Sequence, residues 1–221
     1  VPLTIHLTAP DIPETETEKR LLLHWNQLAV YSDATYHLWR PFAGQSHEAL
    51  LSDIWNDIRR SPPGKYLISD LDFIPFKDAL LAIEGDLDKY RAVFVPYFTR
   101  DSYGFIKHPF FTALWFWAVN TTDVRLWPPH DWIRTIGRPL DVGAGGFLHL
   151  LHSGFARAEE IKFYDGQPSE ALDRQGWVTY PDLGHHVFNH RNFADRDTVI
   201  EPFGLRVQTH RENIERYLDE C

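Results

Sequence analysis

Lys65-Tyr66-Leu67-Ile68-Ser69-Asp70-Leu71-Asp72-Phe73-Ile74-Pro75 is an apolar run broken by two carboxylates one residue apart. The apolar part reads as a buried strand, and Asp70 and Asp72 fall where that strand should stop. Open α/β sheets bind their ligands at the carboxyl ends of strands, so the position itself points to chemistry. Two neighbouring carboxylates repel each other unless a cation lies between them, and a divalent metal with hard oxygen ligands removes that penalty. A turn or helix cap is the plain alternative for an Asp-x-Asp. Against it, Phe73-Ile74-Pro75 resumes apolar character at once, so the acidic pair interrupts an otherwise buried path.

Upstream, Leu3 to Leu7 reads as a first strand. Thr15-Glu16-Thr17-Glu18 has the form of a capping box, followed at helical spacing by Leu21, Leu22, Trp25, Leu28 and Ala29. Thr35 to Trp39 reads as a second strand, and Leu50, Leu51, Ile54, Trp55 and Ile58 form one face of a second helix closed by Ser61-Pro62-Pro63-Gly64. Strand, helix, strand, helix, strand with short breaks is the signature of an α/β fold with a mostly parallel sheet covered by helices. Downstream, a helix is expected over Lys77 to Glu84 and a buried strand over Ala92 to Phe98. Phe111 to Val119 is aromatic-rich and of either type. Short strands at Ile161 to Tyr164 and Trp177 to Tyr180 and a closing helix from Thr209 to Leu218 complete the pattern. There is no internal repeat and no low-complexity linker, so one domain over 1–221 is expected, with a nucleotide-binding half (1–100) and an acceptor-facing half (101–221).

The 221 residues, 43% hydrophobic and 14% aromatic, are enough to fill a substantial core. No apolar stretch approaches the roughly 18 residues that span a bilayer, and no secretory signal is evident. The only cysteine is Cys221, which excludes an intrachain disulfide and a Cys-based zinc site and suits a soluble, cytoplasmic protein. With no methionine in the chain, residues are expected to have preceded Val1. A net charge of −9 argues against a surface built to track phosphate backbones, although a local basic face could coexist with it.

With its apolar strand ending in Asp70-Leu71-Asp72, its glycine-rich Gly143-Ala144-Gly145-Gly146-Phe147, its acidic Glu159 to Asp165 segment and its late histidines, the chain resembles the GT-A class of nucleotide-sugar glycosyltransferases. The resemblance implies a GT-A-like single domain, a nucleotide-diphosphate sugar donor, usually a UDP-sugar, and a divalent cation, Mn2+ or Mg2+. It implies that Asp72 binds the metal, that Asp70 serves the metal or the donor's hydroxyls, and that Thr8 and Ala9 at the end of the first strand, with Gly145 and Gly146, contact the donor. Sugar transfer expels a diphosphate whose developing charge the metal neutralises, so no strong leaving-group acid is needed.

A histidine near the chain end is the implied third ligand. In Gly184-His185-His186-Val187-Phe188-Asn189-His190, His186 and His190 share a face whether the segment is a strand or a helix, while His185 faces away from them in a helix. The glycine loop lacks G-x-G-x-x-G spacing and so is no dinucleotide fingerprint. The resemblance places a catalytic carboxylate of inverting enzymes in the acidic segment, where it takes the proton of the attacking acceptor hydroxyl. Asp165 is the first candidate because it ends a short apolar strand; Glu160 is the second, and the plain reading of Glu159 and Glu160 is solvated charge closing a helix.

Trp115, Trp117, Trp127, Trp132 and Trp177 are candidates to line an acceptor groove, and Arg100, Lys107, Arg125, Arg134 and Arg138 to meet a diphosphate or a nucleic-acid backbone, with solvated surface charge as their plain reading. The acceptor carries a hydroxyl, as a glycan, a protein, a metabolite or a modified DNA base would. Two other readings share the Asp-x-Asp. A haloacid-dehalogenase-like phosphatase would use Asp70 as its nucleophile, but that motif usually opens its fold, and two strand-helix units precede it here. A non-catalytic sugar- or nucleotide-binding domain would dispense with Asp165.

Overall fold

The computed structural model describes residues 1–9, 16–101, 104–122, 150–151, 153–168, 177–187, 199–200, 205–206, 214–219 and 221. In chain order the elements are β1 (Leu3–Thr8), α1 (Glu16–Tyr31), β2 (Thr35–Trp39), α2 (His47–Arg60), β3 (Lys65–Asp70), β4 (Phe73–Pro75), α3 (Ala79–Asp86), β5 (Ala92–Asp101) and β6 (Gly104–Asn120). A short 3-10 turn (Ala158–Glu160) precedes β7 (Ile161–Phe163), β8 (Gln167–Pro168), β9 (Trp177–Tyr180), β10 (Gly184–Val187), β11 (Val199–Ile200) and β12 (Leu205–Arg206). None of the described helices is long and apolar enough to cross a membrane.

The architecture is mixed α/β, as the strand-helix alternation predicts. A six-stranded sheet has the order β2-β1-β3-β6-β5-β7 and a four-stranded sheet the order β4-β10-β9-β8. In the larger sheet β1 pairs in parallel with β2 and β3, and β5 with β7. Only β6 runs against its neighbours, so five strands point their carboxyl ends to one edge.

Two layers of apolar side chains hold helices to the sheet. On one face Leu3, Ile5, Leu7 and Leu67 meet Leu21, Trp25 and Leu28 of α1 and Leu80 and Ile83 of α3. On the other, Tyr66, Ile68, Phe94, Trp117 and Val119 meet Leu50, Leu51, Ile54, Trp55 and Ile58 of α2. The strand alternation decides this split, because successive residues of β3 point to opposite faces. Trp117 is therefore core, stacked on Phe94 and packed against Trp55 with centroids 5.9 and 5.6 Å away, and it does not line an acceptor groove. The side chains of Trp115 and Trp177, the residues Trp127 and Trp132, and Arg125, Arg134 and Arg138 lie outside the described parts, as do the side chains of Arg100 and Lys107.

Local departures from the sequence reading have local causes. The helix expected from Lys77 begins at Ala79, because the Phe76 N–H is still engaged by the Leu183 carbonyl (2.8 Å). The Phe111 to Val119 run is part of a 17-residue strand; a continuous apolar run has no periodicity to separate strand from buried helix. Glu18, expected in a capping box, instead forms a buried ion pair with Arg40 at 2.6 Å, and its would-be partner Thr15 lies outside the described residues. Of the expected C-terminal helix, 214–219 is helical. It is tied to α1 by Arg20, which pairs with Glu215 and with Asp219, the latter at 2.8 Å.

Two buried histidines make the fold acid-sensitive. His6 is lowered to about 4, first by burial and then by the charge of His37, and His185 is lowered to about 4 by burial and then by Arg216. Both folded values lie below the unfolded 6.5, so below that pH the unfolded chain binds more protons than the native one. Stability should be full above pH 6.5 and decline as pH falls to about 4. For His6 the loss is about 3 kcal/mol, with His185 adding in the same direction. Urea unfolding at pH 7 and pH 5 measures it; equal midpoints would contradict it.

Candidate functional site

The carboxyl edge of the parallel strands gathers the candidate residues. In register, Trp39, Thr8 and Asp70 form the last rung across β2, β1 and β3. The Thr8 hydroxyl donates to Asp70 Oδ1, and the Leu71 N–H extends the pairing to the Thr8 carbonyl at 2.9 Å. The Ala9 N–H likewise reaches the Trp39 carbonyl at 2.9 Å. His47 Nε2 stands 3.4 Å from the same Asp70 oxygen. That histidine is the first residue of α2, whose start is set by Ser46, its side chain accepting from the Ala49 N–H at 3.2 Å. Asp70 is thus held between a threonine from β1 and a histidine from α2.

Asp72 belongs to a second group. Its Oδ1 is 3.5 Å from His186 Nε2, and both side chains are buried. Sequence order explains the meeting: β4 follows Asp72 directly and pairs antiparallel with β10, placing His186 opposite Phe73. Helix α1 anchors β4 from outside, because Trp25 Nε1 donates to the Phe73 carbonyl (3.1 Å) and His24 Nε2 to the Pro75 carbonyl (2.8 Å). A carbonyl can only accept, so His24 carries its proton on Nε2; burial lowers its pKa and the Pro75 bond opposes that. These two bonds occupy the outer carbonyls of an edge strand and fix the backbone that carries Asp72.

His185, one residue earlier, points the other way. Its Nδ1 lies 2.9 Å from Thr179 Oγ1, and its ring packs against Tyr217 and Phe76. It is a core residue, as the two-residue period of a strand requires. His190 and the loop containing Gly145 and Gly146 lie outside the described residues.

The acidic segment divides. Asp165 follows β7 at the same edge as Asp70, but β7 is three strands from β3, a lateral span of about 14 Å. Its side chain is exposed and Oδ1 accepts from the Gly166 N–H at 3.0 Å. Glu160 precedes β7 and so lies at the opposite edge. Ile161 is level with Ala92, and through Val119 with Tyr66, at the start of β3. The Glu160 carboxylate accepts from the Arg157 N–H at 2.8 Å and approaches Arg91. Glu160 closes a turn, and four to five residues along the strands, roughly 15 Å, separate it from the level of Asp70.

A divalent cation suits what Asp72 and His186 offer. A carboxylate oxygen and an imidazole nitrogen 3.5 Å apart could both reach one ion with bonds near 2.1 Å, which sets adjacent ligands about 3 Å apart. No group of three or more His, Cys, Asp or Glu gathers around a common point among the described residues.

Sequence reading missed His47, Trp39 and Arg40. The signal for His47 was present in Ser46, an N-cap residue four positions before the apolar face of α2 begins at Leu50; it puts the helix start, and so His47, at the ligand edge.

No protein-family model matches the chain, and no curated protein matches it in sequence. Solved structures do match in fold. A glycosyltransferase involved in the glycosylation of the major capsid of PBCV-1 aligns with 98% of this chain and 100% of its own, at 11% identity and TM-score 0.53. A 4-diphosphocytidyl-2C-methyl-D-erythritol synthase from Anaerococcus prevotii aligns with 75% of this chain and 89% of its own, at 11% identity and TM-score 0.44. A glycosyltransferase of Streptococcus pneumoniae aligns with 72% of this chain and 44% of its own, at 14% identity and TM-score 0.41. The mixed sheet with its flanking helices is thus the fold of a known glycosyltransferase over nearly the whole chain.

Proposed function

We propose that this protein is a metal-dependent glycosyltransferase that moves a hexose from a nucleotide-diphosphate donor, a UDP-sugar in the first instance, to an acceptor hydroxyl. The observation that carries this reading is the division of Asp70 and Asp72 at the carboxyl edge of the sheet. Asp72 is drawn to His186 and Asp70 to Thr8 and His47, so two neighbouring carboxylates have different partners. In this proposal Asp72 and His186, with His190 as a further ligand, hold Mn2+ or Mg2+. Bound there, the ion would neutralise the diphosphate as it leaves.

Asp70, held by a threonine and a histidine, accepts from donor hydroxyls. Thr8 and Ala9 line the donor side, and Gly145 and Gly146 would contact the same donor. Asp165 takes the proton of the acceptor hydroxyl as that oxygen attacks. The phosphatase alternative would have its Asp-x-Asp open the fold, whereas here β1, α1, β2 and α2 all precede Asp70.

Calorimetric titration of UDP, GDP, ADP and CDP and their glucose conjugates, each with manganese and with chelator, tests the reading. Metal-dependent binding of one conjugate is expected; no binding under either condition, or a phospho-enzyme at Asp70, would overturn it. Within the same scheme, Asp165→Asn should leave donor binding unchanged and cut transfer by on the order of 100-fold, the usual worth of a general base. An unchanged transfer rate would remove Asp165 from the mechanism.

A further inference from the structure

Two residues below Trp39, Thr8 and Asp70, and so on the same face of the sheet, the parallel register places His37, His6 and Ile68 side by side. His6 is only 1% exposed, in a position where its strand neighbours Ile5 and Leu7 are apolar. Its Nδ1 lies 2.9 Å from Trp39 Nε1. An indole N–H can only donate, so Nδ1 accepts and the proton of neutral His6 must sit on Nε2. That Nε2–H is buried and has no hydrogen-bond partner among the described residues. An apolar residue would avoid burying an unmade donor, so the histidine's contribution lies in its other nitrogen, which fixes the indole.

The Trp39 ring is further boxed. It tilts at 35° against the His6 ring with centroids 5.8 Å apart, and His6 is itself stacked on His37 at 5.5 Å and set against Tyr66 at 6.0 Å. The residue is half-buried, so part of it stays accessible at the edge where Thr8 and Asp70 end their strands. Arg40, the next residue, is tied to Glu18 of α1 at 2.6 Å, on the opposite face of the sheet from the α2 side where Trp39 packs. A held aromatic level with Asp70 is suited to stack a flat ring.

We propose that Trp39 is the stacking surface for a ring of the ligand, and that His6 is the residue that positions it. This deepens the nucleotide-sugar reading above and rests on it. The ring is either the base of the nucleotide or the transferred sugar, and the two are separable by probe: a loss seen with UDP alone places the base on Trp39, whereas a loss confined to UDP-glucose places the sugar there.

The test is calorimetry with the four nucleoside diphosphates and their glucose conjugates on wild type, Trp39→Ala, Trp39→Phe, His6→Leu and His6→Asn, each with its thermal midpoint at neutral pH. Trp39→Ala should weaken binding about tenfold, the scale of one lost base stack. His6→Leu should weaken it several-fold without lowering the midpoint, since it removes a buried unmade donor along with the acceptor. His6→Asn, whose Oδ1 can accept the indole N–H, should restore binding. Trp39→Phe keeps a ring, breaks the same bond while leaving buried His6 in place, and should match His6→Leu, with the double variant no worse than either.

Wild-type-like binding by Trp39→Ala would overturn the stacking surface, and wild-type-like binding by both His6→Leu and Trp39→Phe would overturn His6 as its positioning residue. Wild-type protein that binds none of the eight probes would overturn the proposed function and this assignment with it.

Discussion

Replacing Asp72 with Ala should abolish manganese-dependent donor binding, by on the order of 100-fold or more, while the protein stays folded. Stability should survive because the core does not run through this side chain. The sheet is held by Leu67, Phe73 and Val93 on one face and Ile68, Phe94 and Trp117 on the other, and each large apolar side chain contributes about 2–3 kcal/mol by burial. Asp72 does have a buried partner in His186, so its loss should cost about 1–3 kcal/mol, visible as a lowered thermal midpoint but not as unfolding.

Asp72→Asn keeps the shape and removes the charge. It should lose metal-dependent binding as fully as Ala with a smaller stability change, which separates ligation from packing. Manganese-dependent binding retained by both variants would end the assignment of Asp72 as a metal ligand. Asp70→Asn is expected to behave differently, weakening the donor with and without manganese, because its partners are Thr8 and His47 rather than His186.

The second large effect is structural. Gly184 opens β10 with φ of +147°, and a Cβ there would lie 2.1 Å from the Ile74 carbonyl oxygen and 2.7 Å from Pro75 Cα. Both are backbone atoms of β4, so no side chain can swing away to make room. Gly184→Ala should therefore cost about 3–5 kcal/mol, combining strained backbone with overpacking. The damage should be directional as well: pushing β4 from β10 separates Asp72 from His186, so manganese-dependent binding should fall even where most of the protein is folded. Gly85 in α3 is the control, since nothing lies within 4 Å of a Cβ there and Ala is the better helix former by roughly 0.5–1 kcal/mol. Urea unfolding of both variants gives the comparison; a Gly184→Ala protein as stable as wild type would mean that β4 and β10 are not packed as described.

Most of the front half was legible because its signals are local. The α1, β2, α2 and β3 elements follow from helical and strand periodicities, from Ser61-Pro62-Pro63-Gly64 as a stop, and from an apolar run ending in carboxylates, none of which depends on residues far away. Glu160 and Asp165 show where that stops working. They stand five residues apart, a three-residue strand lies between them, and a strand carries its two ends to opposite edges of a sheet; sequence proximity made both look catalytic, and only Asp165 shares an edge with Asp70.

His185 and His186 make the same point at closer range. Their chemistry is identical, but the period of two sends one into the core against Tyr217 and the other to Asp72. Trp39 and His6 carried no motif at all, since their pairing comes from a parallel register between strands separated by a helix; His47 had only the Ser46 cap to mark it. Sequence by itself determined the α/β class, the apolar strand that leads into Asp70 and Asp72, and the two carboxylates at its end, because these depend on neighbours along the chain. Which carboxylate meets which partner was decided only by the tertiary structure, because β4–β10 pairing and the start of α2 bring together groups that lie 23 to 114 residues apart, from His47–Asp70 to Asp72–His186, and no local pattern encodes a contact across that distance.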